Sequence, residues 1–152
     1  HLDTVSGQLQ DLRHRRGFDY LNLADGNGRI LDAGRDGREG VARHSSALTT
    51  ALGGDPWVGV EIFSNRELAK EDSRLAERVR LPLVETPRAR PSSRAEEDRG
   101  MVIRALYPVR NARGRIIGVL DGGVLLNGNF GFVDTLRDLV YGPGSLPEGS
   151  IG

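Results

Sequence analysis

The first pattern of apolar and polar positions along the chain has the period of a helix. Four apolar residues recur at spacings of three and four, which places them on one face of a helix over residues 2–16. These residues are Leu2, Val5, Leu9 and Leu12. Such a narrow stripe fits packing against the domain's own sheet, or a helix–helix seam between two copies that continues from a membrane span.

Five later segments have the two-residue period of half-buried strands. They are residues 18–23, 29–33, 57–63, 101–109 and 115–126. Turns rich in Gly and Asn join the first two segments at residues 25–28 and the last two at residues 111–114. We therefore predict two hairpins and a third strand between them.

Three more segments are predicted to be helices, because each has a capping residue at its start and a breaker at its end. Residues 44–52 begin at Ser45 or Ser46, and residues 130–141 begin at Asn129. Ser64 and Glu67 form a capping box in front of a helix over 65–80. Pro82 ends that helix, and residues 81–100 are predicted to be irregular. The pattern indicates an α+β fold with a central antiparallel sheet flanked by helices.

Composition narrows the class of protein. The chain has 152 residues, of which 38% are apolar and 28% charged, a balance typical of one globular domain. Its 21 basic and 21 acidic residues cancel, so it lacks the basic footprint of a nucleic-acid-binding protein. Cysteine is absent, which excludes disulfides and cysteine-bound metals. No stretch approaches the ~18 apolar residues of a membrane span.

Residues that perform catalysis or hold a metal do not occur at useful spacings. His14 and His44 lie far apart, and neither has a histidine or a carboxylate at metal-ligand spacing. The nucleophile motif G-x-S-x-G and the phosphate loop G-x-x-x-x-G-K-[ST] are absent. We therefore predict no enzymatic activity, no cofactor and no metal.

Three segments, taken in order, are similar to a known family: "FDYLNLADGNGRILDAG" (18–34), "GVEIFS" (59–64) and "MVIRALYPVRNARGRIIGVLDGGVLL" (101–126). Together with the first helix they resemble the PAS-like Cache sensor domains of bacterial chemoreceptors and sensor histidine kinases. The resemblance covers most of residues 1–141. The stretch "LLNGNFGFVDTLRDLVYG" (125–142) resembles the link from the first module of a double-Cache protein into the second.

The resemblance implies a five-stranded antiparallel sheet in the order 2-1-5-4-3, with a small-molecule pocket between the sheet and the segment joining strands three and four. It also implies a periplasmic position in a membrane-anchored receptor and a homodimer built on the N-terminal helix. We accordingly divide the chain into the N-terminal helix (1–16), a sensing domain (17–141) and a linker (142–152). We expect the sequence to be part of a longer protein.

Three charged residues on the predicted strands are candidates for the pocket. Arg104 stands in an otherwise apolar strand, where its guanidinium could bind a carboxylate through two parallel hydrogen bonds. Arg104 could equally be a surface residue or the partner of Asp121 on the adjacent strand. Asp121 needs a partner if it is buried, either Arg104 or a cationic ligand. Glu61 on the third strand likewise needs a partner or a cationic ligand if it is buried, unless it faces solvent.

Four further residues complete the predicted ligand site. Tyr107 could donate its hydroxyl to a ligand or be a half-buried strand residue. Thr86 and Arg88 lie in the loop that the resemblance places over the pocket, although a charged loop is ordinarily solvated. Phe63 could line the pocket or fill the core. In the amino-acid-sensing branch of the family an aspartate stands near the position of Gly123, and this difference argues against an amino-acid ligand.

We therefore predict an extracytoplasmic sensing domain that binds a small organic acid, a short carboxylate. Two other hypotheses stay open. The chain could be a Cache module that binds nothing and serves for dimerisation or spacing. It could also be a cytosolic regulatory domain of related shape, GAF-like or PAS-like.

Overall fold

The computed structural model describes residues 2–35, 38–83, 87 and 96–141. The helices are α1 (Leu2–Arg16), α2 (Ser46–Leu52), α3 (Asn65–Glu71), α4 (Ser73–Arg78) and α5 (Phe130–Tyr141). The strands are β1 (Tyr20–Asp25), β2 (Ile30–Ala33), β3 (Trp57–Phe63), β4 (Leu81–Pro82), β5 (Glu96–Glu97), β6 (Gly100–Arg110) and β7 (Ile116–Leu125). The α+β class agrees with the prediction.

Five of these strands form one antiparallel sheet in the order β2-β1-β7-β6-β3. The five-stranded antiparallel sheet is thus confirmed. Its order differs in numbering from the predicted 2-1-5-4-3 because β4 and β5, which form a separate two-stranded sheet, precede β6 along the chain. Leu81 pairs with Glu97, within a segment predicted to be irregular. Pairing between such distant residues leaves no local signal in the sequence.

Local side-chain chemistry accounts for the first hairpin. The carboxylate of Asp25 accepts hydrogen bonds from the backbone N–H groups of Asn27, at 2.8 Å, and Arg29, at 3.0 Å. Gly28 has a φ of 79°, which a residue without Cβ adopts at little cost. The turn over residues 25–28 therefore forms as predicted.

The helix predicted over residues 65–80 is in fact two helices. Asp72 separates α3 from α4 with an extended backbone, φ −160° and ψ 130°, and its side chain accepts a hydrogen bond from the N–H of Arg74. An aspartate that caps the next turn starts a new helix, because its side chain satisfies a backbone donor that lacks a partner. The capping box of Ser64 and Glu67 at the start of α3 is confirmed.

The side chains of the sheet divide between two faces. Helices α2, α3 and α4 cover one of them, here called the covered face, and the core lies beneath them. Helix α1 packs on the opposite face, over β1 and β2, where Leu9 is buried. Its backbone approaches Gly34 so closely that a Cβ there would lie 3.1 Å from the Leu9 carbonyl oxygen. We call the part of this second face on β3 and β6 the open face.

Candidate functional site

A buried ion pair lies at the centre of the covered face. Arg104 has no exposed side-chain surface, and its Nε donates to Asp121 Oδ1 at 2.9 Å. Its Nη2 donates to Asp121 Oδ2 at 2.7 Å, which completes a two-pronged contact with a carboxylate that is equally buried. Two parallel hydrogen bonds of this kind fix the orientation of both side chains. Asp121 of the protein therefore takes up the two parallel N–H groups of Arg104 that a ligand carboxylate would need.

The other donors of Arg104 are also engaged. Its Nη1 donates to Glu61 Oε2 at 2.8 Å and to Ser45 Oγ at 3.0 Å, while Nη2 donates to the carbonyl oxygen of Arg43 at 2.9 Å. A guanidinium has five N–H donors. All five of them thus have partners within the protein. Arg104 joins the sheet to the segment that leads into α2.

Burial and charge act in opposite directions on the acidic groups of this cluster. Burial raises the pKa of Glu61, but hydrogen bonds and charge from Arg104, together with the charge of Arg43, outweigh it and leave that pKa lowered. Burial also raises the pKa of Asp121, against the opposing effect of Arg104. Burial lowers the pKa of Arg104, and Asp121 more than offsets this. The guanidinium of Arg104 therefore stays protonated, while the pKa of Asp121 lies above its ordinary value because burial outweighs the effect of Arg104.

Arg43 forms a second layer between this cluster and α3. Its guanidinium carbon lies 4.5 Å from the centroid of the Phe63 ring, a cation–π contact. Its Nε donates to Glu67 at 3.0 Å, and its Nη1 lies 3.1 Å from Glu61 Oε1. Although Nη1 is buried, it makes no hydrogen bond of good geometry with any residue that the structure describes. This nitrogen of Arg43 is therefore enclosed by the protein and held by its ion pair with Glu61.

A further buried ion pair lies beside Arg43. Arg38 donates from Nε to Glu71 Oε2 at 3.0 Å and from Nη2 to Glu71 Oε1 at 2.9 Å. Asn22 on β1 donates to the same carboxylate at 2.8 Å. Burying a charge is costly unless it is paired and hydrogen-bonded, and both conditions are met here. The pair attaches the segment after β2 to α3 and to the sheet.

A cavity of about 240 Å³ opens between the segment before α2 and helix α3. Its lining consists of Arg38, Val41, Ala42, Arg43, His44, Glu67, Lys70 and Glu71. Among these, Lys70 and His44 are exposed. Both arginines and both glutamates are held by partners within the protein, so Lys70 and His44 are the groups with donors to offer.

Aromatic packing closes the neighbouring part of the covered face. The Tyr20 ring lies across Gly123, where any side chain would collide with it. Tyr20 also contacts Phe63, with ring centroids 6.1 Å apart, and its hydroxyl donates to Asp121 at 3.4 Å. Burial and the charge of Asp121 raise the pKa of the Tyr20 phenol well above its ordinary value. The space beside Asp121 is thus filled by the protein itself.

The structure brings together four of the seven predicted site residues. Arg104, Asp121 and Glu61 share one cluster, and the Phe63 ring centroid lies 5.9 Å from the guanidinium carbon of Arg104. Tyr107 points to the open face instead, because it is an odd number of residues from Arg104 on the same strand. Thr86 and Arg88 lie outside the described residues.

Several polar residues of the covered face were not predicted from the sequence. They are Arg38, Arg43, Ser45, Lys70 and Glu71, together with Asn22. Ser45 or Ser46 was expected to cap α2; Ser45 stands at the N-cap position, but its side chain makes no cap hydrogen bond and its hydroxyl accepts from Arg104. Asn22, at an inward position of an apolar strand, was a usable signal. The loop arginines had none, since loops ordinarily expose such residues.

Comparison with known proteins bears on the fold. No family model matches this chain, and no curated protein matches it. Among solved structures, it is similar to the E. coli DcuS sensor domain, with a TM-score of 0.53 and 13% sequence identity. The alignment covers 86% of this chain and 72% of that chain. At this identity the likeness shows a shared fold. Within the described residues, no helix is both long enough and apolar enough to cross a membrane.

Proposed function

We propose that this chain is the extracytoplasmic sensing domain of a membrane-anchored signalling receptor. The observation that carries the proposal is the fold, a five-stranded antiparallel sheet with helices layered on it, which it shares with the E. coli DcuS sensor domain. The receptor would be a chemoreceptor or a sensor histidine kinase. Membrane spans flanking this chain in the full-length protein would support this assignment, and a cytosolic full-length protein would contradict it.

We further propose that the ligand is a small carboxylate bound in the cavity beside α3. Lys70 and His44 line that cavity with exposed side chains, and Arg43 lies beside them with its guanidinium in ion pairs to Glu61 and Glu67. Cationic donors converging on a concave site are typical of carboxylate recognition. Arg104 would then act through Arg43, whose backbone carbonyl it binds, because its own donors are all engaged.

A thermal-shift screen of the purified chain tests this proposal. The panel comprises short mono- and dicarboxylates, amino acids and purines. A carboxylate present at 100 times its dissociation constant is expected to stabilise the fold by about 2.7 kcal/mol. Lys70→Gln should lower the affinity for that carboxylate about tenfold, because a hydrogen bond to a charged group is lost. Arg113→Gln, in the turn between β6 and β7, is the matched control and should leave the affinity unchanged.

A second candidate function is a module that binds no ligand and serves for spacing or dimerisation. The specific observation in its favour is that Arg104 is saturated by the protein and that Tyr20 fills the space beside Asp121. A flat screen on folded protein would favour this second candidate. A carboxylate hit that Lys70→Gln weakens would reject it.

A further inference from the structure

We propose that the open face of the sheet is an interface with a second copy of this chain. Five large apolar side chains on this face are exposed to solvent. Their exposed fractions are 72% for Val58, 55% for Val60, 48% for Ile62, 45% for Met101 and 63% for Tyr107. Apolar surface of this kind is costly to leave in water, and contiguous patches usually mark a contact site.

Strand register makes these side chains one continuous patch. Val58 lies opposite Ala105, Val60 opposite Ile103 and Ile62 opposite Met101 in the antiparallel pair of β3 and β6. Residues opposite each other in a ladder place their side chains on the same face. Tyr107 is two residues beyond Ala105 and extends the row on the same side.

The composition of the patch favours a copy of the same surface as its partner. On this face β3 and β6 present only apolar residues and Tyr107, so two identical patches meet without like-charge repulsion. The five exposed side chains supply on the order of 500 Å², against roughly 800 Å² that each partner contributes to a standard interface. Half-buried Ile103 and Leu120 adjoin the patch and extend it.

The shape of the surface beside α1 also suits such a partner. An apolar hollow of about 190 Å³ lies between α1 and the patch, and Leu12, Pro56 and Val58 are among its lining residues. Two open faces packed as layers about 10 Å apart would place the β3 edge of each copy beside the other copy's α1. The interface thereby continues from the sheet onto the helix.

The apolar stripe of α1, along which the sequence predicted a dimer seam, offers less free surface than the patch on β3 and β6. Leu9 of that stripe is buried against this chain's own sheet. The backbone of α1 also lies close to Gly34, which leaves little room for a side chain between the helix and the end of β2. Leu9 is thus already used within one chain, and Val5 and Leu12 are half-buried, whereas the patch on β3 and β6 is exposed.

Analytical ultracentrifugation over a concentration series tests the interface. The unmodified chain is expected to dimerise reversibly, and Val60→Glu should weaken the dimer at least a hundredfold by placing a charge in its centre. Leu31→Glu is the matched control, because Leu31 is 56% exposed on β2, at the opposite edge of the sheet. The control should dimerise as the unmodified chain does.

Two results would overturn the proposal. One is an unmodified chain that stays monomeric up to ~1 mM, a range in which even weak association is detectable. The other is a dimer that withstands Val60→Glu but dissociates with Val5→Glu on α1.

As the chain has no cysteine, Val60→Cys also supplies a single thiol for crosslinking between copies. Carboxylate binding by the monomeric Val60→Glu variant would leave the proposed sensing function intact.

Discussion

At the scale of single residues, Arg104 connects several separate segments of this domain. It carries a full charge in the core, and all five of its N–H groups donate hydrogen bonds to other parts of the same chain. Neighbouring buried pairs, such as Arg38 with Glu71, follow the same rule. The covered face is therefore organised by internal ion pairs as well as by apolar packing.

Replacing Arg104 by methionine should be strongly destabilising. Arg104→Met leaves the carboxylates of Asp121 and Glu61 without their partner, so the free energy of unfolding should fall by about 3–5 kcal/mol. Urea denaturation measures this change. Arg115→Met, at an exposed arginine of the last hairpin, should shift it by less than ~0.5 kcal/mol. A loss below ~1 kcal/mol for Arg104→Met would contradict a buried, fully paired guanidinium.

At the scale of secondary-structure elements, helix ends show how local chemistry divides the segment between β3 and β4. The capping box starts α3. Asp72, the single extended residue between the two helices, caps the start of α4. Leu75 in α4 and Val79 at its end lie in the same core cluster as Leu68 in α3. Capping thus decides where one helix ends and the next begins.

The cap of α3 should make a measurable contribution to stability. Ser64→Ala removes the acceptor for the Glu67 N–H, which lies 3.2 Å from Ser64 Oγ, and should lower the free energy of unfolding by about 0.5–2 kcal/mol. Ser46→Ala, at the exposed start of α2, is the control and should change it by only a few tenths of a kcal/mol. Equal losses from the two substitutions would argue against the capping box.

At the scale of the whole molecule, the two faces of the sheet have different roles. The covered face contains the ion pairs, the cavity and the core, while the open face exposes apolar side chains. A one-sided arrangement of this kind is common in antiparallel sheets, except that the second face is usually polar. The proposed ligand site and the proposed interface therefore lie on opposite sides of one sheet.

Acid should weaken the whole fold through Asp72. Hydrogen bonds from Arg74 and the charge of Arg35 lower the pKa of this carboxyl from 3.8 to about 2. Because the pKa is lowered on folding, the stabilisation is complete above about pH 4 and disappears as the pH falls toward 2. Asp72→Asn should flatten the decline of the thermal midpoint over that interval. Asp55→Asn, at an exposed aspartate, should leave the decline unchanged.

The sequence by itself determined the five strands of the main sheet and the helices α1, α2 and α5, because residue period, turns and caps act within a few residues. The bounds of β3 and α5 agree with the prediction, and so do the capping box and both hairpins. Tertiary structure decided among the alternatives for Arg104, which pairs with Asp121, and it alone placed Arg43 over the Phe63 ring. Those features depend on residues far apart in the chain meeting across strands and loops, and no local pattern specifies which residues meet.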